Sequence, residues 1–329
     1  MTSEWVCDLR TAVIFGVTGQ DGFYLSRLLI GKGYRVFGVS RDPSSYSSLK
    51  RREFGVEVLS GDLVQENRVD EILQQSQPDE IYNLAGESSV ASSWKDPAKY
   101  CLANSVGVGN LLKILSGIST GTKPRYFQAA SSEMFGETGE TPVDELTPLK
   151  PKTPYGASKV FAHTMTGLFR DFMNVHASSG ILFNHESPLR SEKYVTKKIC
   201  KAAVRIHLQG SGHLSLGNLN AKRDWSFAGD VVEAIWLMLQ QDQPDDFVIA
   251  SGILHSVEQF TEGVFRHLGI SDWRRYVSSK EFDLRPTDVI ATVGNSSKAR
   301  KDLGWKSSTS FDELITLLVD AELRLQTTM

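Results

Sequence analysis

The segment that most limits the folds open to this chain is "TAVIFGVTGQDGFYLSRLLIGKGY", residues 11–34. "TAVIFG" is a short apolar run that stops at glycine, the pattern of a fully buried strand. Behind it Tyr24, Leu25, Leu28 and Leu29 fall on one helical face, and Gly31 and Gly33 punctuate the end. Between strand and helix lies "GVTGQDG", with glycines at 16, 19 and 22. Glycines so placed permit a tight turn and close backbone approach, and a helix N-terminus favours a pyrophosphate. The spacing alone is weak. In a strand–turn–helix setting it predicts dinucleotide binding by Gly16, Gly19, Gln20, Asp21 and Gly22. The plainer alternative is a tight turn with no ligand.

The alternation continues down the chain. "RVFGVS" (35–40), "VEVLSGDL" (56–63), "DEIYNLAG" (79–86), "RYFQAA" and "GILFN" (180–184) read as further strands. "RVDEILQQ", "SVGVGNLLKILSGI" (105–118) and "YGASKVFAHTMTGLFRDFM" (155–173) read as helices. Strands alternating with helices predict an α/β, Rossmann-type doubly wound parallel sheet. After residue 185 the texture changes to the charged "RSEKYVTKK", then a helix, then "GNLNAKRDWSF". A helix at 229–241 and a strand at 245–251 follow, and the remainder reads as helix or loop. The expected division is a cofactor-binding domain over 1–184, to which 229–255 returns, and a smaller C-terminal substrate-binding lobe over 185–329.

Composition excludes several function classes. A net charge of -3 implies no broad basic surface, so no nucleic-acid partner is expected. Cys7, Cys101 and Cys200 are far apart, and the seven histidines form no HxH or HExxH pattern. No metal site and no disulfide framework is expected, and a reducing compartment fits best. The opening "MTSEWVCDLR" has no apolar core, and no window approaches a membrane span. The expectation is a cytoplasmic protein with no membrane partner.

At the end of the second strand an acid favours NAD, while an arginine accepts a 2′-phosphate. The sequence there is "SRDPSS", and Arg41 reads as a phosphate partner, predicting NADP with NAD as the alternative. Asp62, in "SGDL", is placed to accept from the adenine amine or to cap a helix. Leu63 and Leu84 complete the expected cofactor set.

"YGASK" places Tyr155 and Lys159 four apart, on one helical face. A nearby ammonium lowers a phenol's pKa from its usual value of about 10. Such a tyrosine exchanges a proton with an alcohol while a hydride moves. YxxxK alone is a frequent accident, and its weight comes from its companions. One is the glycine loop. The other is Ser131, Ser132 and Glu133, which follow the apolar "RYFQAA" directly. A carboxylate at a strand end, partly desolvated, suits accepting a carbon-bound proton. A solvent-facing loop glutamate is the commoner fate of that residue type.

Together these motifs resemble the extended short-chain dehydrogenase/reductase superfamily. "NLAGESSV", "SSEMFG", "TPYGASK", "GILFNHESPLR", "GNLNAKRDWSFAGD", "RPTDV" and "LGWK" occur in the order found in GDP-mannose 4,6-dehydratases, over roughly residues 10 to 325. The resemblance implies a lyase that moves a hydride from C4 of the hexose to C6 and expels water. It implies Tyr155 as the base for oxidation, Lys159 as its helper and ribose ligand, and Glu133 as the C5/C6 acid–base group. Ser131 holds the place of the family's hydroxyl residue. For the GDP-sugar it implies Ser88 and Ser132 near the hexose, and Asn184, Arg190 and Lys198 at the diphosphate side. Arg223 and Arg285 are further basic contacts, Val195 packs on the base, and Asp288 holds ribose hydroxyls. His185 is expected to be structural.

Three departures from the family pattern stand out. Serine replaces threonine at 131, Gly86-Glu87 replace alanine and glutamine, and Arg41-Asp42 replace paired arginines. The last bears on both NADP binding and tetramer contacts, so homodimer and homotetramer are equally expected. A related GDP-sugar such as a heptose, a nucleotide-sugar 4-epimerase or 4-keto reductase, and a silent NADP-binding regulator are the competing readings.

Overall fold

Thr11–Phe15 forms strand β1 with Val13 and Phe15 on one face and Ala12 and Ile14 on the other, all buried. A strand apolar on both faces needs cover on both sides, and the sheet around it has that cover. The computed structural model describes residues 9–45, 55–119, 123–279 and 290–327. The strands that follow are β2 (Arg35–Ser40), β3 (Glu57–Ser60), β4 (Glu80–Asn83), β5 (Arg125–Ser131) and β6 (Ala177–Leu182). After these come β7 (Asn184–Glu186), β8 (Leu214–Leu216), β9 (Lys222–Phe227), β10 (Asp246–Ile249), β11 (Leu254–Ser256) and β12 (Val277–Ser279).

Among the described residues the main sheet has the order β10-β6-β5-β4-β1-β2-β3, parallel throughout. It is the doubly wound parallel sheet expected from the alternation. On one face Ile14, Tyr82 and Phe127 pack with Leu25 and Leu29 of helix α1 (Gln20–Gly31) and with Val231, Ile235 and Leu239. On the other Phe15, Ile81 and Tyr126 pack with Ile72, Leu111 and Ala162. Strand order reverses between β1 and β4, which opens a crevice beyond their carboxyl ends.

The structure bears out the helix and strand that return to the main sheet, as Ala228–Gln240 and β10, and corrects the reading of residues 177–227 and 254–256. The sixth main-sheet strand is Ala177–Leu182, not 180–184; the small, buried "ASS" pairs with Tyr126, Phe127 and Gln128 of β5. Asn184 starts β7, which belongs to a second sheet of order β11-β9-β7. The segment "GNLNAKRDWSF", in which the sequence reading marked no strand, contains β9. Its charged Lys222-Arg223-Asp224 start hid it from apolar patterning. A third apolar cluster joins Trp225 of β9 to Ile199, Phe260 and Leu318, from helices Val195–Gln209, Val257–His267 and Phe311–Thr327. The second sheet and this cluster stand over the crevice and form its far wall.

Candidate active site

The crevice is a cleft of about 600 Å³, lined from the main sheet by Gly16, Leu84, Ala129 and Ser131 and from the far side by Asn184, Arg190 and Trp225. Its floor is the start of α1. A Cβ on Gly22 would lie 2.5 Å from the Gly16 carbonyl oxygen, so the helix rests directly on the preceding turn. The helix is capped by Gly19 with no side-chain hydrogen bond, which leaves its first-turn N–H groups to the cleft. That is a seat for an anion.

Gln20 and Asp21 line the cleft but face its far wall. Gln20 Nε2 donates to the His185 carbonyl at 3.1 Å, and Gln20 Oε1 accepts from Ser187 Oγ at 2.8 Å. His185 Nε2 lies 2.9 Å from Asp21 Oδ2, while its Nδ1 lies 2.7 Å from the Phe183 carbonyl oxygen. Burial pushes the Asp21 carboxyl up, but His185, Gln20 and Arg190 outweigh it and hold the group at about 2. Burial likewise lowers His185, and the charge and hydrogen bond of Asp21 raise it above its ordinary value. His185 is thus a structural cation joining β7 to α1.

At the strand ends, Ser131 closes β5, and its Oγ accepts from the Glu133 N–H at 3.3 Å. The same hydroxyl hydrogen-bonds the Tyr155 phenol. Tyr155 is positioned by the start of helix Pro154–Met173, where Pro154 opens the first turn and Thr153 Oγ1 accepts from the Gly156 N–H at 2.9 Å. A Cβ on Gly156 would lie 2.5 Å from the Glu133 carbonyl oxygen, so this close approach sets Tyr155 beside Glu133. One helical turn on, Lys159 Nζ donates to the Ala129 carbonyl at 2.8 Å, 5.9 Å from the Tyr155 ring centroid. Burial lowers the Lys159 ammonium to about 8, with Asp21 opposing.

The electrostatics correct one expectation. The phenol of Tyr155 is not lowered. Burial raises it, and the hydrogen bond from Ser131 offsets only part of that. Lys159 directs its proton to a backbone carbonyl instead, and the free protein therefore holds Tyr155 as a neutral phenol.

The structure brings Gly16, Gly19, Gly22, Leu84, Ser88, Ser131, Glu133, Tyr155, Lys159, Asn184, Arg190, Val195, Lys198 and Arg223 to the walls of this cleft. Ser132 faces a small chamber behind it, which Glu133 and Arg223 also line. Asp62 makes a local turn, with Oδ1 accepting from the Val64 N–H at 3.2 Å. Leu63 is packed inside the main core rather than on the cleft. Arg41 stands outside the lining and is 62% exposed. Arg285 and Asp288 lie outside the described residues.

Sequence reasoning missed two groups. Tyr194 OH lies 2.8 Å from Ser88 Oγ across the mouth of the cleft, and the Arg190 guanidinium stacks 3.6 Å over its ring. Buried Glu186 lies 3.3 Å from Arg190 Nε and accepts from Thr196 Oγ1 at 2.6 Å. Burial works against the Arg190 charge, and Glu186 holds it protonated. An aromatic set between Arg190 and Lys198 in "RSEKYVTKK" was the available signal for Tyr194. As an assembly, the site couples a buried phenol–hydroxyl pair and a half-buried carboxylate to a cationic wall, which suits proton transfer on an anionic substrate.

A family model described as GDP-mannose 4,6 dehydratase matches residues 13–318. GDP-mannose 4,6 dehydratase 2 of Arabidopsis thaliana is 41% identical, over 96% of this chain and 87% of that one. The Homo sapiens GDP-mannose 4,6 dehydratase is 40% identical, over 97% and 93%. Among solved structures, Thermus thermophilus UDP-glucose 4-epimerase in complex with NAD superposes with a TM-score of 0.81 at 22% identity, covering 95% and 98%. RMD from Pseudomonas aeruginosa complexed with NADPH superposes at 0.79 and 18% identity, covering 96% and 99%. These two likenesses are of fold.

Proposed function

This chain belongs to the GDP-mannose 4,6-dehydratase family, and from that premise we propose that it converts GDP-mannose to GDP-4-keto-6-deoxymannose with loss of water. The observation that carries the reading is Glu133 in one cleft with Tyr155, Ser131 and Lys159. Oxidation or epimerisation at C4 needs only the phenol and its helper. A carboxylate beside them supplies the proton abstraction at C5 that elimination requires.

The uncapped start of α1 and the glycine loop fit the pyrophosphate of a nicotinamide dinucleotide. Gly16, Gly19 and Gly22 would hold it with Leu84 and Lys159, and Arg41 would favour NADP over NAD. When bound, the nicotinamide supplies a hydride acceptor that later gives the hydride back. Tyr155 acts from its phenolate form: its own proton leaves before the sugar binds, Ser131 donates to the phenolate, and the phenolate then accepts the C4 hydroxyl proton and becomes phenol. Burial of Tyr155 excludes water, so this proton stays between phenol, Ser131 and sugar. Glu133 takes the C5 proton and protonates the departing C6 hydroxyl, and the proton held at Tyr155 goes to C5 when C6 is reduced. Arg190, Lys198 and Arg223 supply positive partners for the diphosphate, arginine through its forked donors. Ser88 faces the hexose with Ser132 in the chamber behind the cleft, Asn184 contacts the sugar diphosphate, and Val195 packs on the base. The main-sheet half thus takes the dinucleotide, and the lobe around β9 takes the nucleotide sugar.

The test is the mass of the product from GDP-mannose. Loss of one water supports the dehydratase, and an unchanged mass with intact protein removes it in favour of a related GDP-sugar. Glu133→Gln is expected to cut dehydration by about 100-fold or more, the usual worth of a general acid–base group. Retained turnover in that variant would point to a 4-epimerase or 4-keto reductase.

A further inference from the structure

Glu87 is held in place by its backbone. Its N–H donates to Asn104 Oδ1 at 3.0 Å, and its carbonyl accepts from Asn104 Nδ2 at 3.0 Å. From that anchor Oε1 lies 3.2 Å from Arg41 Nη2 and 3.0 Å from Lys99 Nζ. The two cations arrive from separate elements. Arg41 directly follows β2, and Lys99 belongs to the short helix Pro97–Cys101. Burial opposes the Glu87 charge, yet the bonds from Lys99 and Arg41 keep its carboxyl below the ordinary range. It is a carboxylate at neutral pH.

We infer that Glu87 sets cofactor selectivity by occupying Arg41, so that a dinucleotide with a 2′-phosphate must displace a carboxylate that one without it leaves in place. The inference rests on Arg41 being the 2′-phosphate partner. Two effects act in the same direction. Arg41 is already engaged, and the Glu87 charge itself repels a phosphate carrying close to two negative charges. A dinucleotide without that phosphate brings neutral ribose hydroxyls to this corner, and the Arg41–Glu87 pair persists. With two cations and one carboxylate the trio carries a single surplus positive charge; glutamine at 87 would double it.

The experiment measures the dissociation constants of NADP⁺ and NAD⁺ by calorimetry for the full chain, Glu87→Gln and Arg41→Ala, at low and high ionic strength. Arg41 is largely exposed, so the effect is modest. Glu87→Gln should tighten NADP⁺ about three- to fivefold, as expected of an exposed ion pair, with NAD⁺ within about twofold. The difference should shrink in high salt. An unchanged or lowered preference for NADP⁺ in a variant with the parent's melting temperature overturns the inference. Arg41→Ala separates the two levels. If it weakens NADP⁺ and spares NAD⁺, the reading of Arg41 stands even where Glu87→Gln fails. If it affects neither, both readings fall together.

Discussion

Lys159 sits in an environment that opposes its own charge. Its ammonium is buried, its pKa falls from 10.5 to about 8, and its proton is committed to the Ala129 carbonyl. A lysine lowered in the folded state costs stability below its folded pKa, and that cost disappears as pH rises through about 8 toward 10.5. The cost corresponds to about 3 kcal/mol, from which the lost hydrogen bond to Ala129 subtracts about 1–2 kcal/mol. Lys159→Met should therefore raise the stability of the free protein by about 1–2 kcal/mol at pH 7 while abolishing turnover. Denaturant unfolding at pH 7 and pH 10 checks this, since the gain should be largely lost at the higher value. The motif itself was legible, because Tyr155 and Lys159 sit one turn apart on one helix. The direction of the Tyr155 pKa was not. Spacing shows which charges are neighbours, but it does not show how far water is excluded or that a backbone carbonyl claims the ammonium.

Elements join where sequence patterns are silent. The glycine loop and α1 could be read from residues 11–34 alone, since turn, cap and apolar face are all local. What α1 touches could not be read, because Asp21 and His185 are separated by 164 positions. Their pair has a defined pH window. His185 is raised, so its contribution is whole below pH 6.5 and fades as pH climbs through its folded pKa. Asp21 is lowered to about 2, so its contribution is present above pH 3.8 and fades on acidification toward that value. His185→Gln should cost about 2 kcal/mol, most between roughly pH 4 and 6.5 and less on either side. Thermal unfolding of both proteins across pH 3–9 tests this; a pH-independent difference would show the pair to be uncharged. The short strands β7, β9 and β11 escaped the sequence reading for a related reason. β7 and β11 are three residues long, too short for a period of two to declare itself, and β9 opens on three charged residues.

At the scale of the molecule, an apolar stripe crosses helix Pro154–Met173 and its neighbours. Phe161, Leu168 and Phe172 are exposed on that helix, with Leu102 and Val106 exposed beside them; Phe172 is 77% exposed. Such a patch supports the homo-oligomer expected from the family resemblance. Phe172→Glu should lower the mass seen by light scattering without changing the fold, and an unchanged mass would move the interface elsewhere. No helix among the described residues is long and apolar enough to cross a membrane. The cleft itself is bounded by two independently built walls, and Gln20–Ser187 and Asp21–His185 are the rivets between them. A riveted cleft cannot seat its two guests as strangers. Whatever factor the dinucleotide adds to affinity for the nucleotide sugar, the sugar must return to the dinucleotide, and cutting a rivet should diminish both gains alike.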